Sequence, residues 1–362
     1  MSRLIRAVID KQALRHNLRI VRERSDGARV MAVVKANAYG HGLVPTALAL
    51  DEAGTDAFAV ARLEEGLALR ASGISRPIVL LEGVFTPGQL AEAARHSFEL
   101  VVHDPLQIEL LERSSETRRC VVWIKIDTGM NRLGFRPGEF PQALERIERL
   151  RSAPREIRLL THLARADEPE NPMTRDQCAR FAELVRGLGY ATSICNSAGI
   201  LGPEIIRADW VRPGLALYGV SPFAERRGSD LGLRPVMSFE ATVIATRRVP
   251  QGETVGYGGA WRAERDARIA IVAAGYGDGV MRCLPSGTPV LIEGRRAPLV
   301  GRVSMDMVAV DVSELPPVRV GAPATLWGGE GLPVEEIARF AGTIPYELLC
   351  GVRQRVPREF VG

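Results

Sequence analysis

A chain of 362 residues is long enough to bury a full core and to hold two domains, one of them as large as a barrel. Its 46% apolar and 25% charged residues are those of an ordinary globular protein, and a net charge of +4 with no basic run interleaved with aromatics argues against nucleic acid as a partner. No apolar run approaches the ~20 residues that cross a bilayer. No signal-type apolar segment precedes Asp10, and the cysteines Cys120, Cys178, Cys195, Cys283 and Cys350 are odd in number with no C-x-x-C among them. The expectation is therefore a cytoplasmic protein with reduced thiols, no metal site and no membrane contact.

The first strong element is an apolar run over 30–34 that ends on Lys35, followed by small residues around Tyr39 and by Gly40 and Gly42. A lysine closing a buried strand has two explanations: its amine snorkels to solvent, or it is held in a pocket for covalent chemistry. Composition bears on the choice. Of 47 basic residues only Lys11, Lys35 and Lys125 are lysines. Positions that keep lysine in so arginine-rich a chain are candidates for work arginine cannot do, because a buried lysine amine loses its proton and attacks carbonyls.

Further strands are expected at 57–60, 78–81, 98–102, 121–126, 157–161, 191–194 and 210–211. Helical apolar spacing appears between them, as at 62–71 and 141–150. Strands that are apolar throughout and alternate with helices indicate a parallel sheet covered on both faces, and eight such units favour a closed (β/α)₈ barrel over an open sheet. No G-x-G-x-x-G follows the first strand, which weakens the doubly wound rival. In a barrel the strand ends meet at one mouth. Lys35, Lys125 with Asp127, His162, Asn196 and Arg212 all fall there, whereas His103, before Asp104-Pro105, reads more simply as part of a helix start.

Arg212-Pro213-Gly214-Leu215 after the eighth strand and Asn196-Ser197 after the seventh offer backbone N–H groups and a hydroxyl to a phosphate, although either is equally a tight turn. A phosphate beside a Schiff-base lysine would suit pyridoxal phosphate. Arg132 in the loop after the fifth strand is a candidate carboxylate clamp, and an ordinary salt bridge with Asp127 is the plain explanation of Lys125.

Pro, Gly, Ser and Arg gather at 221–233, where a domain boundary is expected, dividing the chain into 1–228 and 229–362. Beyond it, strands are expected at 238–246, 268–273, 290–293, 307–312 and 324–326, with one helix at 334–341. The loops Gly275-Tyr276-Gly277-Asp278-Gly279 and Gly301-Arg302-Val303-Ser304-Met305-Asp306 stand out. A phenol between glycines is reachable by a substrate, as a general acid or base must be; it is also what an incidental hairpin tip looks like.

Taken together, Val-Val-Lys-Ala-Asn-Ala-Tyr-Gly-His-Gly, Lys-Ile-Asp-Thr-Gly-Met-Asn-Arg-Leu-Gly, Thr-His-Leu-Ala-Arg-Ala-Asp, Arg-Pro-Gly-Leu-Ala-Leu-Tyr-Gly, Gly-Tyr-Gly-Asp-Gly and Gly-Arg-Val-Ser-Met-Asp closely resemble the alanine racemases along essentially the whole chain. The resemblance implies an N-terminal (β/α)₈ barrel followed by a mostly β domain, and the interconversion of L- and D-alanine through a pyridoxal 5'-phosphate aldimine, supplying D-alanine for peptidoglycan. It implies that Lys35 carries the cofactor and is one base, and that Tyr276 from the partner chain of a homodimer is the other. Tyr39, Ser197, Gly214, Leu215 and Tyr346 would hold the phosphate, with Asn196 beside them. Arg212 would face the pyridine nitrogen, linked by His162 towards Tyr276. Arg132 and the Met305 backbone would bind the substrate carboxylate, Lys125 would be carbamylated, and Asp167 and Arg302 would line the entrance. Two departures from the family pattern are Gly256, where serine is usual, and Asn131, where glycine is common. A broad-specificity amino-acid racemase and a non-catalytic pyridoxal-phosphate carrier are the alternatives; a Schiff-base aldolase on a phosphate-binding barrel does not explain the β domain.

Overall fold

In the computed structural model, which describes residues 4–204, 206–329 and 331–362, the chain opens with a strand, β1 (Ile5–Asp10), and turns at once into a helix, Lys11–Arg24. Asp10 makes that turn. Its Oδ1 accepts the backbone N–H groups of Gln12 and Ala13 at 2.8 and 3.0 Å, two of the donors that a helix start leaves unpaired. The helix buries Ala13, Leu14, Leu18 and Val21. It also buries Asn17, whose amide joins the backbone of Leu217 and Arg234 at 2.8–3.1 Å and fastens the helix to the link between the domains.

Eight parallel strands then close into a barrel: β2 (Arg29–Val33), β3 (Ala57–Val60), β4 (Ile78–Leu80), β5 (Glu99–Val102), β6 (Val121–Lys125), β7 (Glu156–Leu160), β8 (Ala191–Ser193) and β9 (Trp210–Val211). The ring is completed by Arg29 and Val30 pairing with Trp210 and Val211. All eight expected strands are present, each with its ends within two residues of expectation. The expected helices at 62–71 and 141–150 are Leu63–Ala71 and Phe140–Glu148.

The bottom of the barrel is plugged. Arg158 in β7 meets Glu99 at the start of β5 at 3.1 Å, the Trp123 indole N–H donates to the same carboxylate at 2.7 Å, and the guanidinium lies over the Trp123 and Trp210 rings. A buried charge pair satisfied in this way is tolerated but would be costly to break, which leaves the opposite end of the barrel for chemistry.

The second domain is an eight-stranded sheet. Its spine is β10 (Met237–Val249), which alternates buried and half-buried residues as a strand with one face on a core must. A small hairpin of β11 (Thr254–Val255) and β12 (Trp261–Arg262) follows. The remaining strands are β13 (Ala267–Val272), β14 (Pro289–Ile292), β15 (Arg295–Val300), β16 (Val308–Asp311), β17 (Pro323–Trp327) and β18 (Arg358–Val361). Because β10 pairs with β17 along its first half and with β13 along its second, the sheet curls back on itself. The expected helix at 334–341 is Val334–Ala341.

The first strand departs from the 1–228 and 229–362 division. β1 pairs antiparallel with β10 and parallel with β18, so residues 5–10 belong to the C-terminal sheet although they precede the barrel. Arg6 on its outer face bridges Glu240 and Glu359 on the two flanking strands at 2.8 Å.

Candidate active site

Lys35 stands at the end of β2, and the backbone that follows it is unusual. Ala36, Asn37, Ala38 and Tyr39 all have φ between 51° and 56°, a left-handed turn built from four non-glycine residues. For Ala36, Ala38 and Tyr39 this costs about 1–2 kcal/mol each relative to a right-handed conformation, so the surroundings must hold the turn in place. Glu65 accepts the Ala36 N–H at 2.7 Å, and the Asn37 side chain accepts the Leu43 N–H at 2.8 Å. The buried His41 ring donates from Nδ1 to the carbonyls of Ala38 and Tyr39 at 3.0 and 2.9 Å. Burial pushes His41 down to about 4, so it is neutral here. Its ring stacks on Tyr218, which stacks in turn on Tyr39. Gly40 closes the turn against the helix Pro345–Gly351, where a Cβ would stand 2.0 Å from the Leu349 carbonyl oxygen, so no other residue fits.

Above the barrel lies a cavity of about 490 Å³, in the range of small-molecule sites. It gathers Lys35, Tyr39, Lys125, Arg132, His162, Asn196, Ser197, Arg212, Gly214, Leu215 and Tyr346, eleven residues expected from sequence, in one lining. Glu82 and Cys350 join them unannounced by any motif.

The cavity is strongly cationic, and its ionisable groups respond. Burial, then the charge of Arg132, lowers the Lys35 ammonium below its usual value. Burial with Arg132 and Arg212 brings Lys125 down to about 8. Arg212 is 4% exposed and burial lowers it to about 10, so it is still a cation near neutrality. Its terminal nitrogens donate to Ser193 Oγ, to the carbonyls of Thr161 and Ile194, and to His162 Nδ1 at 3.3 Å. An arginine can only donate, so Nδ1 accepts and the His162 proton sits on Nε2. Burial and the neighbouring Arg212 hold His162 well below its usual value, hence neutral.

Tyr39, Ser197 and Gly214 form a small polar cradle on the same lining. The Gly214 and Ala216 N–H groups both donate to Ser197 Oγ, at 3.0 and 3.1 Å, which leaves the Ser197 proton free to donate outward. A Cβ on Gly214 would lie 2.3 Å from the Tyr39 hydroxyl, so glycine alone keeps that hydroxyl beside the cradle.

The Arg132 loop is folded by Asp127, whose Oδ1 accepts the N–H groups of Gly129 and Asn131 at 3.0 Å. Asn131 has φ of 57°, the left-handed conformation that glycine adopts most easily and asparagine tolerates, which accounts for the departure noted there. His103 lies just before the helix Pro105–Glu112, whose start is capped by the Asp104 carboxylate accepting the Leu106 N–H.

Tyr276, Met305, Arg302 and Asp167 are absent from the cavity lining. Tyr276 and Met305 are 37% and 53% exposed, and Asp167 is near enough to Tyr346 to help burial push that phenol up to about 12. The Tyr276 and Met305 loops are joined: Tyr276 N–H donates to Ser304 O and Gly277 N–H to Met305 O at 3.0 and 2.8 Å.

Family models cover most of the chain: alanine racemase N-terminal domain over residues 9–222 and alanine racemase C-terminal domain over 236–360. The chain belongs to the alanine racemase family. It is 47% identical over 355 residues to the alanine racemase of Aeromonas hydrophila, covering 98% of this chain and 99% of that one. Its identity to the biosynthetic alanine racemase of Escherichia coli is also 47%, with 98% of each covered. The crystal structure of the biosynthetic alanine racemase from Pseudomonas aeruginosa superposes with a TM-score of 0.95 at 44% identity, covering all of both chains. Membership makes this a racemase, an isomerase by reaction class, and the barrel followed by a mostly β domain is the architecture of the family's solved structures. No helix among the described residues is long and apolar enough to cross a membrane.

Proposed function

We propose that this chain racemises alanine with pyridoxal 5'-phosphate held in the cavity above the barrel, as a cytoplasmic homodimer whose two sites each use both chains, and that its D-alanine serves peptidoglycan synthesis. The observation that carries the reading is the division of chemistry. One cavity unites a depressed lysine, an obligate cation and a polar cradle, while the exposed phenol of Tyr276 stands on another domain outside it.

The residues fit the cofactor. Lys35 supplies the amine, the Ser197 hydroxyl with Tyr39, Gly214, Leu215 and Tyr346 would hold the phosphate, Asn196 borders them, and Arg212 would face the pyridine nitrogen. When bound, pyridoxal phosphate withdraws electrons from the substrate's Cα and so acidifies its proton.

The protein's task is then to take that proton from one face and return one to the other, which two bases on opposite sides accomplish. Lys35 suits one role because burial and Arg132 favour its neutral amine. Tyr276 of a neighbouring chain suits the other. Arg212 stays protonated near neutrality, so facing the ring nitrogen it would leave that nitrogen unprotonated and discourage transamination. His162, fixed by Arg212 at Nδ1, would offer its Nε2–H to the incoming phenol. Arg132 and the Met305 backbone would hold the substrate carboxylate, and Asp167 and Arg302 would border its way in.

A panel of single-enantiomer amino acids, each followed for loss of optical rotation, tests the reading. Loss with alanine alone is expected. Loss with many substrates would assign a broad-specificity racemase, and loss with none would leave a carrier.

A further inference from the structure

The stretch that leaves the helix Pro345–Gly351 and runs into the first residue of β18 carries two arginines that grip different loops. Arg358 donates to the Gly40 carbonyl at 3.1 Å, on the left-handed turn of its own cavity. Arg355 reaches the other way. Its Nε donates to Asp278 Oδ1 and a terminal nitrogen to Asp306 Oδ1, both at 2.7 Å.

Asp278 is 4% exposed, and its second carboxylate oxygen accepts the Gly275 N–H at 2.9 Å. Its carbonyl accepts the Arg353 N–H at 3.0 Å. Asp306 follows Met305. The guanidinium fork therefore pins the Tyr276 loop and the Met305 loop to one another and to the C-terminal segment. Little slack remains around the pin: a Cβ on Gly277 would lie 2.8 Å from the Arg355 fork, and one on Gly275 2.3 Å from the Met305 carbonyl. The Arg355 side chain is half exposed, and an ion pair as exposed as the one with Asp306 adds little to overall stability. What a planar, two-armed cation offers at such a place is fixed geometry, which a single ammonium does not reproduce.

We propose that Arg355 is a positioning residue for the Tyr276 base: it holds the Tyr276 and Met305 loops as one rigid unit, and its effect is exerted in the neighbouring chain's cavity rather than in its own. This deepens the shared-site reading above and rests on it.

The test uses the cofactor-loaded dimer. Arg355→Ala lowers kcat/KM by about 10- to 100-fold, the scale of a misplaced catalytic group, and Arg355→Lys, with one arm, recovers part of it. In the cofactor-free dimer, amides of 275–279 and 304–307 exchange hydrogen faster in Arg355→Ala while barrel amides keep their rates. Mixed dimers of tagged chains decide where the effect is felt.

Paired with Lys35→Ala, the Arg355→Ala barrel receives an unaltered Tyr276 loop, one site in the mixed dimer is whole, and activity climbs well above that of Arg355→Ala alone. Paired with Tyr276→Phe, no site is whole and activity stays at or below the Arg355→Ala level. The inverse pattern, or an Arg355→Ala dimer as active as wild type, overturns the proposal. Failure of the sharing itself reads out separately, as an inactive Lys35→Ala with Tyr276→Phe mixture. If Arg355→Ala does not fold, Asp306→Asn removes one arm on the exposed side and enters the same pairings with the same expected outcomes.

Discussion

Lys125 is a cavity group whose charge changes within reach of mildly alkaline pH. An unfolded lysine keeps its proton to about 10.4, whereas here burial, Arg132 and Arg212 release it near 8. Between those values the unfolded chain binds more protons, so folding stability must rise with pH across that window. In buffer freed of carbon dioxide, the stability difference between wild type and Lys125→Met should climb from pH 8 to 10 by at most about 1.4 kcal/mol per unit. A flat difference would show that the ammonium is not disfavoured. Once the ammonium has lost its proton, the neutral amine is the form that adds carbon dioxide. The resulting carbamic acid releases a second proton to solvent, so carbamylation of Lys125 would set an anion near Arg132 that pairs with it.

Arg212 gives a second residue-scale prediction. Arg212→Glu would set a carboxylate against the carbonyls of Thr161 and Ile194, where it takes up a proton that it can share with a pyridine nitrogen. Racemisation should fall by about 10²-fold or more, with more keto acid formed from alanine; an unchanged rate and product ratio would remove Arg212 from the ring. Both residues were legible in the sequence, Lys125 through the scarcity of lysine and Arg212 through its place after the eighth strand. Cys350 and Glu82 were not, because a lone thiol and a lone carboxylate carry no spacing signal until the fold brings them to the cavity.

At the scale of elements, continuous apolar runs made every barrel strand legible, since a strand buried on both faces leaves few other patterns. β1 was missed although Ile5, Ala7 and Ile9 alternate with Arg6, Val8 and Asp10: a six-residue alternation at a chain start is a weak signal, and its partners lie more than 200 residues away. The left-handed turn was invisible for another reason. Gly40 and Gly42 mark a sharp turn in the sequence, and both have positive φ, but the left-handed conformation also falls on Ala36, Ala38 and Tyr39, which ordinarily avoid it, in a turn held by hydrogen bonds with Glu65, Asn37 and His41. That origin predicts an inverted glycine effect. At an ordinary helical or strand position Ala→Gly destabilises; at exposed Ala36, with φ 53°, Ala36→Gly should relieve strain and leave stability unchanged or raised by up to about 1 kcal/mol. A clear drop in melting temperature would mean that the turn is not strained.

At the scale of the whole molecule, Lys35 and Tyr276 lie on different domains, and the cavity that Lys35 enters does not include Tyr276. Either the phenol reaches its own chain's cavity by a domain movement, or a two-fold neighbour brings its phenol to this cavity and receives one in return. The exposed Tyr276 and Met305, joined loop to loop, suit the second arrangement. Mixing equal amounts of Lys35→Ala and Tyr276→Phe chains after mild dissociation separates the two. With exchanged phenols, each mixed dimer has one site carrying both lesions and one carrying neither. Random pairing puts about half the chains in mixed dimers, so roughly a quarter of wild-type activity should return. With phenols kept in their own chain, every site holds one lesion whatever the pairing, and the mixture stays inactive. Tagged chains confirming that subunits have exchanged make the inactive result decisive against the shared arrangement, and recovery without exchange would expose contamination rather than complementation.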